Sequence, residues 1–177
     1  MGSMSIEATL RVLNEMRDAG AVTEYAIGGA VAAFLYIEPA ATFDLDVFIS
    51  WKPGPGGLLD PTFLHEHLAN RGYGEYEKEA IMIEGWAVQF LPLGTPLIEE
   101  ALKEAADIEI KGVPTRVFTV EHLMAICLQT GRPKDMARLL QFIEEGSPDV
   151  DRFAIIIERH KLSRAWERFK TRHLPPL

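Results

Sequence analysis

Ala26-Ile27-Gly28-Gly29-Ala30-Val31-Ala32, followed after a short interval by Thr42-Phe43-Asp44-Leu45-Asp46-Val47-Phe48-Ile49, decides how this chain folds. The first stretch reads as a short buried strand over 24–27, broken by a glycine pair before a compact helix over 30–37. The second alternates cleanly. Phe43, Leu45, Val47 and Ile49 fall on one face of a strand and Asp44, Asp46 and Phe48 on the other. Two carboxylates therefore project side by side, and the glycines sit at a strand-to-helix turn.

This pairing of features suits phosphate chemistry. Phosphoryl transfer from a nucleoside triphosphate is mainly positioning and charge neutralisation, commonly by divalent ions that take oxygen ligands. Carboxylates at alternate positions of one strand point the same way and can share an ion, which makes Asp44 and Asp46 the candidate metal ligands. A glycine pair lets the backbone approach phosphate oxygens, and a following helix offers free N–H groups, so Gly28 and Gly29 are candidate phosphate contacts. Taken singly, a Gly-Gly turn or an Asp-x-Asp strand is usually plain geometry; their order and context give them meaning.

Outward from this centre, residues 5–19 carry Ile6, Leu10, Leu13 and Met16 at helical spacing, with Gly20 where a left-handed cap belongs. Lys52-Pro53-Gly54-Pro55-Gly56-Gly57 reads as a loop, the segment expected to be most mobile, and Asp60-Pro61 as the start of a helix. Residues 80–83 and 86–91 form strands joined at Glu84-Gly85, Thr95-Pro96 opens another helix, and Lys111-Gly112 turns a second hairpin. From Thr119 onward the pattern is helical, with stops and starts at Gly131, Pro133, Ser147-Pro148 and Leu162. The expected fold class is α/β (α+β), a mixed sheet flanked by helices. A core over 5–118 carries a helical C-terminal region over 119–177, the two forming either separate units or one domain.

Composition narrows the function classes. The 177 residues are 47% hydrophobic, enough for a core without metals or disulfides. Met1-Gly2-Ser3 before Met4 reads as a cloning remnant, no targeting signal is evident, and the single cysteine, Cys127, has no internal disulfide partner, so a cytoplasmic protein is expected. The most apolar stretch is too short and too glycine-rich for a membrane span. A formal charge of −8 argues against a general nucleic-acid binder.

The two quoted stretches resemble the signature of nucleotidyltransferases of the DNA polymerase β superfamily. Phe118-Thr119-Val120-Glu121-His122-Leu123-Met124-Ala125-Ile126-Cys127-Leu128 and Gly131-Arg132-Pro133-Lys134-Asp135 extend the likeness to the AbiEii-like bacterial toxins and related nucleotidyltransferases. The resemblance implies a polymerase β-type fold and transfer of a nucleotidyl group from a nucleoside triphosphate to a hydroxyl acceptor. It also implies Mg2+ or Mn2+ held by Asp44 and Asp46, phosphates cradled by Gly28 and Gly29, and a triphosphate neutralised by Lys134 with Arg132. The acceptor stays open between RNA, protein and small molecule, and the toxin analogy adds an antitoxin-like partner.

Departures from the pattern qualify this. Trp86-Ala87-Val88-Gln89-Phe90-Leu91 resembles the strand that usually supplies a third carboxylate, with Gln89 in its place. In the superfamily that carboxylate helps hold the ion that activates the attacking hydroxyl, and an amide offers only a neutral oxygen. Nucleotide and metal binding would survive the change; activation of the nucleophile would suffer. If Glu84-Gly85 is a two-residue turn, Gln89 pairs with Ala80, and Glu79 and Glu84 are poorly placed to compensate; a one-residue slip of that register would invert the faces and bring Glu79 into play. Ala40, Cys127 and Arg138 also stand where relatives often carry Arg, Lys and Asp.

Other polar residues carry weaker signals. Arg132 and Lys134 either reach triphosphate oxygens or form a solvated helix start, while Asp135 either orients Lys134 or favours the helix dipole. His65, His67, His122, His160 and His173 show no ligand spacing, and Cys127 reads as core. Two readings result: an Mg2+-dependent nucleotidyltransferase with a divergent site, or a catalytically lapsed member of the fold that binds a nucleotide or a protein partner.

Overall fold

A computed structural model describes residues 4–39, 42, 44–50 and 62–174. The glycine-rich loop, Asp60-Pro61, Phe43 and Ala40 lie outside the described residues.

Helix α1 (Ile6–Asp18) begins where Ser5 Oγ accepts from Ala8 N at 3.2 Å, carries Glu7 in its first turn and Arg17 in its last, and ends before Gly20 at φ +76°. Its apolar stripe, Leu10, Leu13 and Met16, is fully buried and packs over strands β1 (Glu24–Ile27) and β7 (Val113–Val117). The remaining strands are β2 (Asp44–Ser50), β3 (Tyr76–Glu77), β4 (Ala80–Ile83), β5 (Trp86–Pro92) and β6 (Ala106–Ile110). They form one mixed sheet in the order β3-β4-β5-β2-β1-β7-β6. Antiparallel pairing joins β1 to β2, β3 to β4, β4 to β5 and β6 to β7, while β2 runs parallel to β5 and β1 parallel to β7.

Alternation sets the two faces of β2. Leu45, Val47 and Ile49 are at most 2% exposed, which leaves Asp44, Asp46 and Phe48 for the opposite face. Burial of each aliphatic side chain contributes about 1.5–3 kcal/mol, so a slip by one residue would forfeit the core contact of all three.

Helix α2 (Gly29–Ala33) is shorter than the expected span to residue 37. Beyond it the chain tightens into turns, with Leu35 N donating to Ala32 O and Tyr36 N to Ala33 O, and Pro39 then disfavours helix at Glu38. Helix α3 (Thr62–Ala69) precedes β3, and α4 (Pro96–Lys103) opens with Thr95 Oγ1 accepting from Ile98 N. The C-terminal helices are α5 (Val120–Thr130), α6 (Pro133–Glu145), α7 (Val150–Arg159) and α8 (Ser163–His173). Gly131 at φ +66° closes α5, and Pro133 opens α6 two residues later.

Helix α5 is buried on nearly every side and packs against α2, α4, α6, α7 and α8, so the strands and the C-terminal helices share one hydrophobic core. A polar lock reinforces this packing. Glu100 on α4 accepts from His122 Nε2 (3.4 Å), His160 Nε2 (2.9 Å) and Arg159 Nη1 (2.9 Å). A carboxylate can only accept, so Nε2 of His122 carries the hydrogen and its Nδ1 takes the Thr119 hydroxyl at 2.9 Å. Burial raises the Glu100 carboxyl, but the hydrogen bonds from Arg159, His160 and His122 outweigh it and bring the pKa down to about 2.

Candidate active site

The site is built on the middle of the sheet. Parallel pairing of β2 with β5 sets Asp46 beside Gln89 and Asp44 beside Ala87, so the two aspartates and the glutamine face one cavity of about 560 Å³. Gly29 lines the same cavity, and so do residues of α5 and α6. Asp44 is exposed and Asp46 half-buried. Burial pushes the Asp46 carboxyl up, and the neighbouring Asp44 charge pushes it further; Arg138, Lys134 and Arg132 pull the other way without cancelling the rise. Two carboxylates on one face, with charge that local cations do not fully offset, form a donor set that suits a hard divalent cation.

The glycine pair does two different jobs. Gly28 N donates to Asp46 O at 3.0 Å, and a side chain at Gly28 would run into the Phe48 and Phe118 rings, whose centroids are 4.7 Å apart. Its amide is thereby committed to the sheet. Gly29 adopts φ +59°, and a Cβ there would strike Asp46 Oδ2. Gly29 is the position at which bare backbone meets both the carboxylate and the open cavity.

Across the cavity, the N-terminal turns of α6 supply the cations. Arg132 forks onto Asp135, with Nε to Oδ2 at 2.6 Å and Nη2 to Oδ1 at 3.2 Å, and Thr130 Oγ1 donates to the same carboxylate at 2.7 Å. Asp135, 3% exposed, therefore orients Arg132 rather than Lys134. Lys134 and Arg138 both line the cavity, and Arg138 is the leading cation acting on Asp46. Sequence reasoning treated Arg138 only as a departure from a pattern. Its spacing of four from Lys134 was the available signal, since such residues share a helix face. Leu123, Ile126, Cys127 and Phe142 form the apolar wall. Burial pushes the Cys127 thiol up to about 12, so it stays protonated at neutral pH and contributes only bulk.

The β4–β5 register, Ile83 opposite Trp86 and Ile81 opposite Val88, matches the two-residue Glu84-Gly85 turn read from the sequence. Contrary to expectation, Glu79 lies within reach of Gln89 in this register. Gln89 Nε2 donates to Glu79 Oε2 at 3.4 Å. No slip is involved: Glu77 pairs with Ala80, so Lys78-Glu79 makes a further two-residue turn, with Lys78 at φ +57°, that folds Glu79 back over the strand ends. Glu79 borders a second, smaller cavity of about 300 Å³ together with Glu77, Lys78, Asp44 and Gln89. Asp44 and Gln89 thus belong to both cavities.

Histidines that look scattered in the sequence are partly gathered by the fold. Glu100, Glu104 and His122 bring ligand-type atoms within 4.8 Å of one another, the one such cluster of three among the described residues. It borders neither cavity, and Glu100 is already engaged by Arg159 and His160. Its partners make it a fastening between helices.

No protein-family model and no curated protein matches the chain. Solved structures do. The solution structure of the antibiotic-resistance factor ANT(2'')-Ia superposes with a TM-score of 0.58 at 15% identity, covering 97% of this chain and all of that one. An antigenic nucleotidyltransferase-like protein from Paracoccidioides brasiliensis superposes with a TM-score of 0.53 at 14% identity, covering 94% of each chain. At such identities the likeness is one of architecture, and the chain has the mixed α+β fold of the nucleotidyltransferases.

Proposed function

We propose that this protein is a nucleotidyltransferase that moves a nucleotidyl group from a nucleoside triphosphate to a hydroxyl of a small molecule. The observation that carries the reading is the meeting of Asp44, Asp46 and Gly29 with Lys134, Arg138 and Arg132 around one cavity. Asp44 and Asp46 are the residues that would hold Mg2+ or Mn2+, which when bound neutralises triphosphate charge. Lys134 and Arg138 neutralise phosphate oxygens from the α6 side, and Arg132 keeps its orientation through Asp135. Gly29 admits the phosphates close to the backbone, and Leu123, Ile126 and Phe142 offer the nucleobase an apolar wall.

Membership of the AbiEii-like group, with an RNA acceptor and an antitoxin-like partner, rests on the segments 118–128 and 131–135 alone. The net charge of −8 favours a small acceptor over RNA. No helix among the described residues is long and apolar enough to cross a membrane. Gln89 supports a second reading, a nucleotide-binding member of the fold without turnover.

Calorimetry with ATP, GTP, CTP and UTP, with and without Mg2+, tests the first step. Wild type is expected to bind at least one nucleotide in an Mg2+-dependent manner and Asp46→Ala to lose that dependence. Equal binding by both proteins would remove Asp46 from the metal site. Binding without pyrophosphate release under any acceptor would select the second reading.

A further inference from the structure

We propose that Glu79 is the catalytic carboxylate that receives the proton of the acceptor hydroxyl, in the place that Gln89 leaves neutral; this rests on the nucleotidyltransferase reading of the site. Asp46 and Gln89 are Cα partners on adjacent parallel strands, so a group acting on the attacking oxygen is best placed next to Gln89. Gln89 cannot take a proton at neutral pH. Its Nε2 instead donates to Glu79 Oε2 at 3.4 Å, and this hydrogen bond ties the exposed Glu79 side chain to the Asp46–Gln89 row.

The division of charge between the cavities supports the same assignment. The larger sets Arg132, Lys134 and Arg138 against Asp44, Asp46 and Asp135, a mixed set that suits a triphosphate together with a divalent cation. The smaller carries Glu77, Glu79 and Asp44 against Lys78, which repels one. With the nucleotide on the cationic side, an acceptor enters from the acidic side and meets the α-phosphorus across the Asp44–Gln89 boundary. The acceptor oxygen forms a bond to the α-phosphorus, and the bond from that phosphorus to the bridging oxygen breaks. Pyrophosphate leaves with the electron pair, and the hydroxyl proton passes to Glu79 and then to solvent. Gln89 is a positioning residue, holding the carboxylate toward the boundary.

The test measures Mg2+-dependent pyrophosphate release from each of the four nucleoside triphosphates, with water alone and with glycerol as the hydroxyl donor, beside nucleotide affinity by calorimetry. Glu79→Gln is expected to bind nucleotide as wild type does and to release pyrophosphate about 100-fold more slowly, the scale of a lost general base. The double variant Glu79→Gln/Gln89→Asp, with a carboxylate restored beside Asp46, is expected to regain release, which a merely structural role for Glu79 would not produce. Release by Glu79→Gln at the wild-type rate overturns the role of Glu79 and leaves the transferase reading standing. Nucleotide binding with no release by wild type overturns the transferase reading and this inference together.

Discussion

Asp46 and Glu100 are both carboxylates within folded surroundings, yet their protons are held in opposite ways. Glu100 receives three hydrogen bonds from cationic or imidazole donors and is brought down to about 2, whereas Asp46 is pushed up by burial and by the Asp44 charge, which Arg138, Lys134 and Arg132 do not cancel. The first arrangement is finished: every charge has its partner, and the outcome is a fastening between α4, α5 and the end of α7. The second is unfinished without a cation. A cluster whose charges are already matched holds a fold together, while a cluster whose charges are not is ready to bind something.

The largest expected effect is on ligand binding: Asp46→Ala should weaken Mg2+-dependent nucleotide binding by at least about 100-fold in calorimetry, roughly 3 kcal/mol, as expected when a ligand to a divalent ion is removed. Glu100→Gln should do the reverse, lowering stability by about 2 kcal/mol in urea unfolding while nucleotide affinity holds, because Arg159 and the two imidazoles lose their anion. Gly29→Ala should cost about 1–3 kcal/mol and also weaken nucleotide binding, since it combines a left-handed backbone with a collision at Asp46.

The pH dependence should separate the two carboxylates as well. Glu100 has a folded pKa below its ordinary 4.5, so its contribution is present above that value and is lost as pH falls through about 4.5 toward 2. His122, whose pKa is lowered chiefly by burial, adds a loss in the same direction below its ordinary 6.5. Asp46 has the opposite sign: its raised folded pKa means that protonation favours the folded state, so Asp46→Asn should raise Tm slightly at neutral pH and lose that advantage in acid. Thermal melts across pH 3–8 on wild type, Glu100→Gln and Asp46→Asn check all three signs. The smallest expected effect is Arg138→Ala, a several-fold loss of nucleotide affinity with little change in melting, because one half-buried cation among three is removed.

What could be read from the sequence follows the range of the interactions involved. The Asp44 and Asp46 face was legible because strand alternation is local, and the β4–β5 register because Glu84-Gly85 dictates a tight turn. Glu79 was misplaced because β3 has only two residues, Tyr76 and Glu77, too few to show any alternation, so the Lys78-Glu79 turn left no pattern. The two duties of Gly28 and Gly29 were invisible for a related reason. Only the packing of Phe48 against Phe118 and the position of Asp46 distinguish them. The Glu100 fastening joins residues on three separate helical segments, 22 and 60 positions from their partners, and no spacing rule reaches that far. Of the remaining readings, the loop over 52–57, the Asp60-Pro61 helix start and the change at Ala40 fall outside the described residues.

The wall that Asp44 and Gln89 contribute to both cavities has a thermodynamic consequence. Two ligands that press on the same pair of side chains from opposite sides cannot bind independently. Whatever factor one imposes on the affinity of the other is returned unchanged, so the proposed nucleotide and acceptor would form a linked system whose coupling runs through two neighbouring rows of β2 and β5, Asp44 beside Ala87 and Asp46 beside Gln89. Changing Gln89 would then alter cooperativity between the two ligands, and measuring each affinity in the presence and absence of the other would reveal it even where the individual affinities hardly move.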